Sequence, residues 1–322
     1  MLVIVAATST KLITPLLPAA QHFTISFTKV VGSLLGISMT SSEDILYTNG
    51  FPLRIAGECT ALNYILILTL AILFYTRHSL IYRLSGIAVA TGILLVVNPI
   101  RLIVIGLLGP VSLDLTHFVH EYVWSVIFAL LVFFIWKVWA DRRFKITGDT
   151  IKSIALAAVI CTFTLLVLYR FKDAYSQVLT ILAAPLYKLL SMDSHASVVW
   201  DNLLFYRHGQ DSLQVGIPMD ITSYSVYIGI MTPRLWHNRK AIPQAIVGLL
   251  VLLLMNVLLV ALLGAIGMSY GYDVSRSFIF ICSIIFLAFP LVMYWHIFSR
   301  KAIDTDKSAI ESQHSESVPL TS

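Results

Sequence analysis

Cys59 is the cysteine whose surroundings best suit chemistry. The chain holds three cysteines, and the other two, Cys161 and Cys282, lie within long apolar runs where a thiol serves as a small hydrophobic group. This set does not form a disulfide framework. Cys59 instead follows a segment, 44–55, that carries the hairpin turn signal Asn49-Gly50. The pattern predicts a hairpin that ends beside a thiol reachable from outside.

Arg101 is the second candidate, because it is a cation within an otherwise apolar run. An arginine that faces lipid is costly, so we expect Arg101 to point into the bundle or a wet cavity, or to snorkel outward. Asn98 lies one helical turn earlier on the same face. It can hold the guanidinium, contact a substrate or bond to a neighbouring helix, and Pro99 predicts a kink between the two.

His117 and His120 complete the candidate set, and their spacing places them on one face if the segment is helical. A thiol, an imidazole and a guanidinium suit acyl transfer: the imidazole raises the thiolate fraction or protonates a leaving amine, and the guanidinium stabilises an oxyanion or orients a peptide. Glu58 beside the cysteine would oppose thiolate formation. Alternatively, each histidine is an interfacial anchor or a helix cap.

The composition indicates that these residues belong to a membrane protein. Hydrophobic residues make up 58% of the 322 residues, charged residues 12%, and the mean hydropathy is +0.85. Apolar runs of about 20 residues predict an all-α polytopic membrane protein rather than a β-barrel. We predict about eight spans: Leu2–Ala19, Thr60–Tyr75, Ser85–Leu108, Tyr122–Ala140, Ile154–Tyr169, Ile221–Met231, Ala245–Ile266 and Ser277–Phe298.

Basic residues crowd into alternate loops, which are therefore expected to face the cytoplasm. They include Arg77 and Arg83, the run from Lys137 to Lys152, the run from Arg234 to Lys240, and Arg300 to Lys307. With this orientation Cys59, Arg101 and His120 fall in one outer-leaflet layer of a multi-pass plasma or inner membrane protein. The net charge of +5 then reflects topology and the lipid bilayer as partner, not nucleic acid.

The same residues resemble a known family. Glu58-Cys59-Thr60, then Asn98-Pro99-Ile100-Arg101, then His120-Glu121 with Trp124 and Phe128 resemble the exosortase/archaeosortase membrane proteins over roughly 38–140. The resemblance implies that Cys59 is the nucleophile, Arg101 the group that orients the substrate or stabilises the oxyanion, and His120 the acid/base. His117, on the same helical face, is the second candidate for the acid/base. The resemblance departs at Ala61 and Trp124, where the family commonly has glycine.

The resemblance also implies a function and a partner. A cysteine protease or transpeptidase of this kind cleaves the C-terminal sorting signal of exported proteins through a thioester. Its partners carry a short motif, an apolar helix and a basic cluster. Catalysis would rest on Cys59, Arg101 and His120, with Asn98, Glu58 and His117 as substrate contacts and no cofactor.

Two other classes of function stay open. In a transporter or channel, Arg101 would bind an anionic substrate at depth. In a metal site, Cys59, His117, His120 and Glu121 would supply zinc-type ligands, although no tight ligand motif is present.

An internal comparison predicts three parts: a catalytic membrane half 1–150, a degenerate repeat 151–302 and a disordered cytoplasmic tail 303–322. The stretch 176–190 mirrors 21–35, and 199–218 mirrors the hairpin before Cys59. Asn256 then matches Asn98, while Asp220-Ile221-Thr222 stands at the cysteine position. We therefore predict two parallel four-helix repeats, the second without catalytic residues, unless the likeness is only that of any two sets of apolar helices.

Overall fold

The computed structural model describes residues 16–75, 78–140, 148–190, 194–199, 202–207, 212–216, 221–270 and most of 278–297. Helices dominate this part of the chain, in line with the all-α prediction, and two small three-stranded sheets are added to them. The predicted tail 303–322 lies outside the described residues.

The N-terminal half combines an amphipathic helix, a sheet and long apolar helices. Its elements are α1 Leu16–Leu34, β1 Met39–Ser42, β2 Ile45–Thr48, β3 Phe51–Arg54, a 3-10 helix Gly57–Thr60, α2 Leu62–Leu73, α3 Leu80–Leu108, α4 Leu113–Phe118, a π-helix Val119–Val123 and α5 Trp124–Ala140.

The first predicted span does not end where expected. α1 runs without a break through Ala19, so the boundary predicted there is wrong. Pro18 lies in the first turn of α1, where its missing N–H costs no helical hydrogen bond, and the helix therefore continues past it. Residues 2–15 of this span lie outside the described residues.

The C-terminal half also has a helix, three strands and two further helices in succession, although its 3-10 helix follows α8 whereas that of the first half precedes α2. Its elements are α6 Gly148–Arg170, α7 Lys172–Leu190, β4 Ser194–Val199, β5 Asn202–Arg207, β6 Ser212–Gly216, α8 Ile221–His237, a 3-10 helix Arg239–Ala241 and α9 Ile242–Tyr270. α7 has 19 residues like α1, and α9 has 29 like α3. Both sheets are antiparallel with strands in sequence order. This shared order agrees with the predicted duplication, which stays a prediction.

Among the described residues, four helices are long and apolar enough to cross a membrane: Leu80–Leu108, Leu113–Ala140, Ile151–Arg170 and Arg239–Ile266. Leu62–Leu73 and Ile284–Tyr294 are shorter apolar helices. The described residues therefore do not confirm the predicted count of eight, which stays a prediction. α2 is short because a 3-10 turn and the left-handed Ala61 take up the residues before it; its 12 residues rise about 18 Å, against a hydrocarbon core of about 30 Å.

The hairpin predicted at 44–55 forms as β2 and β3, paired from Ile45↔Arg54 to Thr48↔Phe51. Asn49 and Gly50 have φ values of 47° and 88°, as a two-residue turn of type I′ requires. β1 adds a third strand that the sequence did not predict. Arg54 Nε donates to Asp44 Oδ2 at 2.8 Å, and this hydrogen bond holds the pKa of the Asp44 carboxyl below its usual value.

This first sheet packs directly on the C-terminal end of α3. The side chains of Thr48 and Phe51 occupy the positions that a Cβ at Gly106 and at Gly109 would need. Beneath the sheet lies a small core separate from the large core of the helices, formed by Ile25, Leu46, Ile55, Cys59 and Leu102. The sheet, α1 and α3 together therefore enclose the cysteine.

Gly106→Leu is expected to destabilise the protein, since its side chain would collide with Thr48 and push the sheet off α3. Overpacking of this kind typically costs about 1–3 kcal/mol. The control is Gly92→Leu on the same helix, where nothing lies within 4 Å of an added Cβ. Thermal unfolding of the purified variants measures the difference, and equal midpoints would contradict the contact.

Candidate active site

Cys59 is held in a short 3-10 turn between β3 and α2. Its backbone N–H donates to Ala56 O at 3.0 Å, and Thr60 Oγ1 donates to Gly57 O at 2.7 Å. Ala61 then adopts a left-handed conformation, φ 58° and ψ 8°, and α2 begins at the next residue. The turn places the thiol at the N-terminal end of α2.

Asn98 fixes this turn to α3. It is 2% exposed, and its Nδ2 donates to the Cys59 carbonyl oxygen at 2.8 Å. Its side chain therefore bonds to the backbone of the candidate nucleophile rather than to Arg101. Of the roles left open for Asn98, this contact supports one of interhelix positioning.

Arg101 lies one turn further along α3 and points into the protein. It is 4% exposed, and its Cζ lies 5.6 Å from the centroid of the Phe128 ring, within cation–π range. Phe128 in turn contacts Tyr64 of α2 at 4.8 Å and Trp124 at 6.2 Å between ring centroids. Arg101 is therefore buried beside an aromatic wall, and snorkelling toward lipid headgroups is excluded.

His120 contacts the thiol from the π-helix that precedes α5. Its Nε2 lies 3.7 Å from Cys59 Sγ, and this contact joins residues 61 positions apart. His120 belongs to the π-helix Val119–Val123, a wide turn of a kind often found at functional sites. Arg101 is close enough to interact electrostatically with the imidazole. Three segments distant in sequence thus meet at one place.

His117 turns away from the thiol. Its side chain is 73% exposed, and its Nδ1 lies 3.9 Å from Glu121 Oε1. The two histidines therefore differ in surroundings despite their spacing, and His120 is the one in contact with Cys59. The side chain of Glu58 lies outside the described part of the structure, although its backbone belongs to the 3-10 turn.

The thiol is not reachable from outside in this conformation. Cys59 is 2% exposed and belongs to the small core under the sheet, so the prediction of an open position is wrong. The physical reason is that the predicted hairpin does not project into solvent. It gains β1, packs with α1, and together they cover the cysteine.

One neighbour of the thiol could not be anticipated from residue type. The backbone oxygen of Arg54 lies 4.0 Å from Cys59 Sγ and can accept its hydrogen. Every residue has a main-chain carbonyl, so the residue type gives no sign of this contact. The Arg54 carbonyl lies beside the thiol because β3 continues into the 3-10 turn.

Among the described residues, no group of three or more His, Cys, Asp or Glu side chains is placed to hold an ion. A cavity of about 370 Å³ lies elsewhere, between α5, α6 and α8. Arg101 does not line it. This cavity therefore gives no support to the transporter reading.

Comparison with known proteins finds a family likeness over the N-terminal part of the chain. Residues 1–137 match the family model described as transmembrane exosortase (Exosortase_EpsH). No curated protein and no solved structure matches the chain. The matched range contains Cys59, Asn98, Arg101 and His120, and it ends within α5.

Substitution of Ala61 tests the left-handed geometry of the cysteine turn. A φ of 58° favours the glycine of the family pattern, but Ala61 is also 1% exposed, so its methyl group contributes packing. Relief of left-handed strain, about 1–2 kcal/mol, opposes a lost methyl of about 0.8 kcal/mol and the greater chain entropy of glycine. We expect the unfolding midpoint of Ala61→Gly to stay close to that of the parent protein.

Ala61→Val is the matched variant, and we expect it to unfold at a clearly lower temperature, because a β-branched residue at positive φ is an outlier. A stable Ala61→Val protein would contradict the left-handed turn.

Proposed function

We propose that the chain is a member of the transmembrane exosortase family, whose model matches residues 1–137, and that it acts as a multi-pass membrane cysteine transpeptidase or protease. Its proposed substrates are exported proteins that end in a short motif, an apolar helix and a basic cluster. The reaction removes this C-terminal signal through a thioester on Cys59. The contact between Cys59 Sγ and His120 Nε2 at 3.7 Å is the observation that carries the proposal.

The proposed first step is attack on the scissile peptide bond. His120 takes the thiol proton, and Cys59 Sγ adds to the carbonyl carbon to form a tetrahedral oxyanion. His120 then returns the proton to the leaving amine as the C–N bond breaks. The N-terminal end of α2 beside the turn carries partial positive charge and favours the thiolate.

The proposed role of Arg101 is to stabilise the negative charge of the oxyanion. Its fixed cation, shielded from water by the aromatic wall, acts more strongly on a developing oxyanion than an exposed cation would. Asn98 is a positioning residue in this scheme, since it holds the Cys59 carbonyl and does not touch the thiol.

The second proposed step resolves the thioester. An incoming amine or water, activated by His120, attacks the acyl carbon and releases Cys59. An amine acceptor gives transpeptidation and water gives hydrolysis. The distribution of basic residues supports an extracytoplasmic position for this site, the side on which exported proteins arrive.

Cys59→Ala is expected to abolish processing of a co-expressed exported protein from the same genome that carries such a C-terminus. Intact mass spectrometry of the substrate measures the loss of the signal. Cys282→Ala is the control, because Cys282 lies outside the matched family range and should leave processing unchanged. Hydroxylamine added to the active protein should trap the acyl group as a C-terminal hydroxamate. Full processing by Cys59→Ala would exclude the thiol mechanism.

The histidine pair offers a second test with an internal control. His120→Gln should lower the processing rate by about 100-fold or more, the usual effect of removing a general acid/base. His117→Gln changes an exposed side chain paired with Glu121 and should keep most of the activity. Rates are compared at equal amounts of folded protein. The reverse result, with His117 essential and His120 dispensable, would contradict the proposed role of His120.

A further inference from the structure

A cavity of about 370 Å³ lies between α5 of the N-terminal half and the helices of the C-terminal half. It is distinct from the cysteine site. Its lining is mostly apolar, with a few polar side chains: Leu130, Phe133, Phe134, Lys137, Val138, Ser153, Ile154, Ala157, Ile230, Pro233, Arg234 and Tyr294.

The polar lining residues gather at one end. α5 ends at Ala140 and α6 begins at Gly148, so Lys137 and Ser153 both lie near this connection. α8 runs antiparallel to α6, because Gly229 packs against Ala157 and Cys161 while Arg234, further along, shares the cavity with Ser153.

The other end is lined by aliphatic side chains. Leu130, Ala157 and Ile230 lie one to two turns deeper along the same three helices. The cavity thus has a cationic mouth and an apolar wall.

Arg234 is held in place at this mouth. Its Nε donates to Tyr294 Oη at 3.0 Å, and Tyr294 is 6% exposed and packs edge-on against Phe133 at 4.9 Å between ring centroids. A buried tyrosine therefore anchors one edge of an otherwise exposed guanidinium. An anchored arginine loses less side-chain entropy when it binds an anion.

We propose that this cavity binds one anionic phospholipid. Lys137 and Arg234 hold the phosphate, the Ser153 hydroxyl donates to it, and an acyl chain lies along Leu130, Ala157 and Ile230. Basic pockets between transmembrane helices on the cytoplasmic side suit such headgroups, and the neighbouring loops are the basic ones predicted to face the cytoplasm. A zwitterionic lipid would bring its own ammonium group to two cations.

The charge of the mouth also selects against other occupants. The basic cluster expected at the end of a sorting signal would be repelled by Lys137 and Arg234. A soluble phosphate would leave the apolar wall empty. The lipid is the occupant that matches both ends, and this site does not depend on the proposed acyl-transfer function.

Native mass spectrometry tests the site on the full-length protein in detergent with phosphatidylglycerol or phosphatidylcholine of equal chain length. We expect at least about tenfold stronger retention of phosphatidylglycerol, from two phosphate-binding cations. Lys137→Gln and Arg234→Gln, singly and together, should reduce this preference. The control is the pair Arg239→Gln and Lys240→Gln, which removes two exposed cations that do not line the cavity.

Further tests separate the contribution of the two cations from that of the apolar wall. Ala157→Leu keeps both cations but fills the apolar wall, so it should weaken lipid retention without removing charge. Glycerol phosphate, which has a headgroup but no chain, should not compete. Equal retention of the two lipids, or equal loss in the Arg239/Lys240 control, would overturn the proposal, as would full competition by glycerol phosphate. If Arg234→Gln does not fold, Lys137→Gln and Ala157→Leu still test the proposed lipid site.

Discussion

The hydrogen bond from Asn98 Nδ2 to the Cys59 carbonyl is the interaction on which the arrangement of the candidate site depends. The cysteine lies in a single 3-10 turn that is buried, so the main-chain groups that this short turn leaves unbonded need partners from elsewhere. Asn98 supplies one from a fully helical segment. This bond ties the start of α2 to the middle of α3, and it sets the thiol at a fixed height in the bundle, level with His120. Loss of the amide would leave a buried carbonyl unsatisfied and free the turn to shift.

The sequence was a good guide to which residues meet. Cys59, Arg101 and His120 could be assigned to one layer because spans that alternate in direction return to the same side. The Asn49-Gly50 turn was equally readable, since few residues tolerate positive φ at two successive positions. These predictions rest on local chemistry and on a topological rule, and neither requires knowledge of packing.

The rest depended on tertiary contacts that carry no sequence signal. β1, whose residues Met39–Ser42 alternate weakly, becomes a strand through pairing with β2 and contact with α1. The burial of Cys59 follows from that sheet and could not be inferred from the turn alone. The π-helix at His120 inserts one residue into a helix, which shifts the phase of its faces and separates His117 from His120 despite their spacing. The predicted span at Thr60–Tyr75 is shorter than expected, because α2 gives up its first turn to the cysteine.

The second half contains a buried asparagine at the position that the predicted duplication pairs with Asn98. Asn256, which the sequence comparison matched with Asn98, is fully buried and donates to Tyr175 Oη at 3.0 Å; Tyr175 in turn donates to Tyr224 Oη at 3.1 Å. An asparagine again joins the long helix to its neighbours, here through a tyrosine pair.

In the first half, the sheet over Cys59 keeps the thiol dry. Extracytoplasmic compartments are oxidising, and an accessible thiol there would pass to sulfenic acid or a mixed disulfide. With the proposed orientation and function, the burial of Cys59, which is 2% exposed, would keep the thiol reduced between turnovers. The sheet over Cys59 would then protect the thiol from oxidation until a substrate arrives.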